Sequence, residues 1–170
     1  KAAEKEELAK KLFEGLQSVE PESFNWESLQ LLRDLQPILL EENEECPFST
    51  RWKEKLAASA QAEGEAFRAS SRKDQLLLAL KELPDIEEPE LGFIAGPLCL
   101  SAFWKSRNLA IDIDAHYNVV SPVLRRQQWS KVAPEVEVKE ISLAAWDKEA
   151  GSHRLQLLRE ILGEEVAVEE

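Results

Sequence analysis

Apolar positions first recur at helical spacing and then, past Pro84, switch to the period of two that marks strands. Leu8, Leu12, Phe13 and Leu16 predict a helix over 3–18, with Lys5, Glu6 and Lys10 on its other side and Pro21 as its stop. Ser23 is placed to cap a second helix, with Glu27 near its first turn. Its stripe is Trp26, Leu29, Leu32, Leu35 and Leu39, kinked or ended at Pro37. The acids after residue 40 and Cys46-Pro47 read as a loop. Residues 49–82 read as mostly helical, interrupted near Ala69-Ser70-Ser71, with Ser71 capping the run KDQLLLALKEL.

Beyond Pro84, PLCLSAFW (97–104) predicts a strand, KSRN a short turn, and LAIDIDA (109–115) a second strand. In that second strand Ile111 and Ile113 point one way and Asp112 and Asp114 the other. Residues 120–131 predict a helix carrying Arg125, Arg126, Gln127 and Gln128. EVEVKEISL (135–143) alternates as a third strand, which Ala144-Ala145-Trp146-Asp147 leaves, and RLQLLREIL (154–162) is a closing helix. The order predicts an α+β fold in which the 97–115 hairpin pairs with strand 135–143 between two helices. The expected division is a helical region at 1–69, which could end a longer helical array, a small core at 70–163, and an acidic tail at 164–170.

Composition narrows the function. The chain has 170 residues, 44% apolar and 32% charged, which is globular rather than disordered. Lys plus Arg is 21 against 33 Asp plus Glu, a net charge of −12. A whole-surface attraction for nucleic acid or anionic lipid is thereby excluded, so any such binding must come from a local patch. The acidity sits at Glu41–Glu45, at Glu82–Glu90 and in the tail, whereas 101–160 is nearly balanced. These clusters read as solvated loops or as a docking surface for a basic partner. The longest weakly charged run, Leu91 to Trp104, is shorter than the about 20 residues of a spanning helix, so no membrane insertion is predicted. Cys46 and Cys99 read as two free thiols in a reducing compartment, with a disulfide between them as the alternative. The chain holds no Met and begins KAAEKEELAKK, which is not a secretory signal. Removal of a transit peptide is one reading of that start, and a chain cut from a longer one is the other.

Candidate chemistry gathers on the strands. Asp112 and Asp114, followed by Glu137-x-Lys139 on a neighbouring strand, have the order of metal-dependent nucleases, where carboxylates hold Mg²⁺ and the lysine orients water. The alternative is a solvent-facing polar strand edge. His116 is a further candidate ligand or general base, and His153 has no assigned role. Neither G-x-x-x-x-G-K-[ST] nor G-x-G-x-x-G occurs, so no nucleotide cofactor is expected, nor any other.

Taken together, SRKDQLLLALKEL, PLCLSAFWKSRNLAIDIDAHYN, VLRRQQWSKV, VEVKEISLAAWDK and RLQLLREIL resemble, in order and spacing from about Ser71 to Gly163, the RAP domain of organellar RNA-associated proteins. The resemblance implies a restriction-endonuclease-like core similar to Vsr-type endonucleases, and a role in organellar transcript processing, stability or ribosome assembly. It matches Asp112 and Asp114 to the family's E-x-D acids, Arg125-Arg126 to its basic pair and Trp146 to its aromatic turn. Ala115 stands where the family has Gly, and His116 comes two positions early.

These departures lead to the expectation of a non-catalytic organellar module, in a mitochondrion rather than a plastid. It would contact RNA, such as rRNA or a transcript, through Lys105, Arg107, Arg125, Arg126 and Lys131. Asp112, Asp114, His116, Glu137 and Lys139 would be remnants without metal, the aspartates pairing with Lys139 or Arg125. The alternatives are a protein-docking subunit of a large organellar complex, such as a ribosome, that has lost RNA binding, and a metal-dependent nuclease.

Overall fold

The computed structural model describes residues 11–12, 14–16, 18–25, 28–33, 49–83, 85–96, 98–113, 126, 129–147 and 151–163. Its fold is α+β, with a four-stranded mixed sheet and several helices. Two compact units emerge. One is built from the described residues of 1–62, 94–99 and 117–134, the other from those of 63–93, 100–116 and 135–170.

In the first unit, Leu16, Leu29, Leu32, Trp52 and Leu56 form a buried cluster. Trp52 and Leu56 come from helix α1, Thr50–Arg68. The Trp52 indole N–H donates to the Leu16 carbonyl at 3.1 Å, and Phe24 meets its ring edge-on at 5.1 Å. Leu29 and Leu32 thus lie in the core, as their stripe predicts, while Trp26, Leu35 and Leu39 lie outside the described residues. Ser23 does not cap the second helix. It lies in the 3₁₀ turn Pro21–Ser23, and the Asn25 carboxamide accepts from the Ser28 backbone N–H at 2.9 Å instead. Asn25 sits three residues before that donor, which is where a capping side chain reaches an orphan N–H.

The second unit starts inside α1 at residue 63 and holds most of the sheet. Helix α2, Ser71–Leu80, is capped by Ser70 rather than Ser71: Ser70 has extended backbone and its Oγ accepts from the Lys73 N–H at 3.3 Å. The strands are β1, Glu90–Ala95; β2, Leu98–Trp104; β3, Leu109–Ile113; and β4, Glu137–Ile141, in the spatial order β1-β2-β3-β4. A 3₁₀ turn, Lys105–Arg107, joins β2 to β3, and Asn108 closes it at φ 47°, a left-handed conformation that asparagine tolerates. β2 and β3 are antiparallel, with Ala102 opposite Ile111. β3 and β4 are parallel, from Leu109 opposite Glu137 to Ile113 opposite Ile141. As inner strands, β2 and β3 are buried at every position.

Strand β1 is absent from the sequence reading. Gly92 interrupts it at φ +61°, where an added Cβ would stand 2.6 Å from the Gly64 carbonyl oxygen. Helix α1 therefore approaches β1 backbone to backbone, and Arg68 seals the contact by donating to the Leu91 and Gly92 carbonyls at 3.1 and 3.2 Å. One face of the sheet carries Ala102, Trp104, Leu109, Ile111, Ile113 and Ile141, packed with α2 and two further helices. These are α3, Leu143–Asp147, which the sequence reading leaves as a bare exit from the strand, and α4, Gly151–Leu162, which starts three residues earlier than expected. Buried Trp146 ties the layer together. Its indole N–H donates to Gln75 at 3.0 Å, its carbonyl accepts from Arg154 Nε at 2.8 Å, and the Arg154 guanidinium lies 5.5 Å from its ring centre.

Candidate functional site

Strand faces decide what the acids can do. Partners level with one another across a parallel pair share a face, and neighbours along a strand alternate. Glu137 is level with Leu109 and Lys139 with Ile111, whereas Asp112 is level with Glu140. Asp112 therefore lies on the opposite face of the sheet from Glu137 and Lys139. It is also buried, 4% exposed, and β3 is flanked by strands on both sides, so it does not lie on a solvent-facing edge. The expected pairing of Asp112 with Lys139 does not occur: Lys139 Nζ lies 2.5 Å from Glu137 Oε1, on the edge strand β4. An exposed pair of this kind contributes little to stability.

The acid that does share a face with Asp112 is Glu140, which is half-buried and which the sequence reading passes over. Its signal is the alternation of V-E-V-K-E itself, since 138 and 140 face away from 137 and 139. Next to Asp112 on β3, the Ile113 N–H is bonded by the Ser101 hydroxyl of β2 at 2.9 Å. Asp114, His116 and Arg125 lie outside the described residues. Among the described residues, no group of three His, Cys, Asp or Glu side chains could hold a metal ion. Cys99 is buried in β2, and Cys46 lies outside the described residues.

The basic candidates fall in two places. Lys105 and Arg107 sit together, exposed, on the turn between β2 and β3. Arg107 donates to the Leu162 carbonyl at 2.8 Å, closing the end of α4 as a cation can at a helix C-terminus. Between them Ser106 donates to the Glu87 carboxylate, so an acid stands beside this basic turn. Arg126 and Lys131 are exposed helical residues of the first unit, and Trp129, two residues before Lys131, is buried.

Two clefts flank α2. One, of about 360 Å³, lies against α4 and is walled by Leu78, Ala79 and Leu155 with Gln75, Glu82, Ser152 and Arg154. The other, of about 440 Å³, lies against the segment before β1 and is walled by Leu77, Leu80, Leu83, Ile86 and Pro89, with Glu87 and Glu88 on it. Neither contains Asp112, Glu137 or Lys139. Among the described residues, no helix is long and apolar enough to cross a membrane. Comparison with protein-family models, with curated proteins and with solved structures found nothing that matches this chain.

Proposed function

We propose that the chain is a non-catalytic, RNA-associated module of RAP type, working within an organellar assembly such as a mitochondrial ribosome. The non-catalytic part is carried by the β3–β4 register, which sends Asp112 to one face of the sheet and Glu137 and Lys139 to the other. A Mg²⁺ ion needs its oxygen ligands at about 2.1 Å in near-octahedral array, and carboxylates on opposite sides of a strand layer do not converge so. Lys139, which would orient water in such a site, is occupied by Glu137. The restriction-endonuclease-like core belongs to the same proposal. Its support is the sequence of α2, the β2–β3 hairpin, the parallel strand β4 and the closing helix α4.

RNA contact falls to exposed Lys105, Arg126 and Lys131. Arg107 spends part of its guanidinium on Leu162 and chiefly holds the turn. With a net charge of −12, such contacts work only as local patches, and binding is strongly salt-sensitive. A fluorescently labelled single-stranded RNA should bind with an affinity that falls as salt rises. Lys105→Ala should reduce the slope of log affinity against log salt by about 0.7. The same RNA should stay intact with Mg²⁺. Binding unchanged in the double variant Lys105→Glu/Arg126→Glu would remove the RNA reading. Mg²⁺-dependent cleavage abolished by Asp112→Asn would replace it with the nuclease.

A second reading, a protein-docking subunit, is favoured by one observation. Leu78 is 66% exposed on α2, beside the cleft against α4.

A further inference from the structure

Helix α2 shows three consecutive leucines, and a period of 3.6 residues cannot turn all of them inward. Leu76 is fully buried, Leu77 is half-buried, and Leu78 is left 66% exposed. Leu78 lines the cleft on one flank of α2 and Leu77 the cleft on the other. Each flank of α2 therefore gives its cleft an apolar wall. Its surroundings carry one dominant sign. Glu82, Asp85, Glu87, Glu88 and Glu90 are all exposed, and the segment from Glu82 to Glu90 holds no Lys or Arg. Of the two cations on the clefts, Arg154 is held by Trp146 through its carbonyl and its ring. Lys81 is the other, and the Lys105–Arg107 turn stands beside Glu87 at one end of the acidic segment.

We propose that this two-cleft face of α2 docks a basic amphipathic helix of a partner protein, with apolar anchors in the two clefts astride Leu78 and Lys or Arg side chains against the Glu82–Glu90 rim. Spacing supports a helix as the occupant. Anchors one heptad apart stand about 10 Å apart along a helix, which is about the width of α2 with its side chains. The acidic rim selects the sign of the partner and speeds its encounter, while the apolar anchors supply most of the affinity.

The proposal builds on the docking reading and is independent of RNA contact. A labelled synthetic 15-residue Leu/Lys amphipathic helix serves as the probe, with a Leu/Glu helix of the same leucine spacing as control. Anisotropy titration of the full chain should show binding of the first and none of the second. Leu78→Gln should weaken binding by about tenfold or more, as loss of a central anchor does, with an unchanged melting curve because the side chain is exposed. Glu82→Gln with Glu88→Gln should flatten the salt dependence. RNA binding should be the same in Leu78→Gln and the parent chain, which separates this site from the RNA reading. Equal affinity of Leu78→Gln and parent for the Leu/Lys helix would overturn the proposal. So would a dimer of the parent chain lost in Leu78→Gln, because the occupant would then be a second copy.

Discussion

Alanine at position 92 should destabilise the sheet-bearing unit by about 3–5 kcal/mol, the sum of a left-handed backbone strained by a side chain and an overpacked contact. The added Cβ would stand 2.6 Å from the Gly64 carbonyl oxygen and 2.9 Å from its Cα. Both atoms are backbone, so relief requires α1 and β1 to separate and Arg68 to lose its two carbonyls. The melting temperature should fall by roughly 10 °C for a chain of this length. Gly163 supplies the control. It has φ +70° but nothing within 4 Å of the missing Cβ, so Gly163→Ala should cost only about 1 kcal/mol of backbone strain. Similar losses at both positions would mean that the close approach of the two backbones matters little.

Trp146→Ala should cost about 3–5 kcal/mol, the range for truncating a buried tryptophan. The side chain is fully buried, and its removal also strips a donor from Gln75 and a ring from Arg154. Trp146→Phe separates these contributions. It keeps most of the ring volume and leaves the Gln75 carbonyl oxygen short of a donor, a loss of about 1–3 kcal/mol. Chemical denaturation of the two variants measures the difference. Equal losses would show that volume is irrelevant and that the hydrogen bond alone holds the layer.

The hairpin was legible in the sequence because two apolar runs flank a polar turn, and β4 because its apolar positions alternate. The α2 cap was misread by one residue, since Ser70 and Ser71 are chemically equivalent and only backbone conformation separates them. β1 was hidden by its glycine, which counts against a strand until the Gly64 backbone on its other side is known. The acids were the hardest case. Their residue types were read correctly, but the face that each occupies depends on register, and a slip by one residue exchanges every side chain between faces. Pattern alone could not tell that Asp112 is level with Glu140 rather than facing with Glu137. Nor could it tell that β3 is buried at every position, because that depends on what covers each of its two faces. Leu78, by contrast, was available from the run of three leucines.

The parallel pairing of β3 with β4 also fixes an order of events in time. β2 and β3 are joined by a four-residue turn, KSRN, and such a hairpin closes in about 1–10 μs. β4 can add only after the chain between Ile113 and Glu137 has looped back, a slower, non-local closure. During synthesis the hairpin leaves the ribosome well before β4, so strands that are buried on both faces in the finished protein pass through an interval with one edge uncovered. Pulse-labelled hydrogen exchange on the refolding chain should protect the β2–β3 amides ahead of the Glu137–Ile141 amides, and protection arriving in a single step would mean that the sheet assembles all at once.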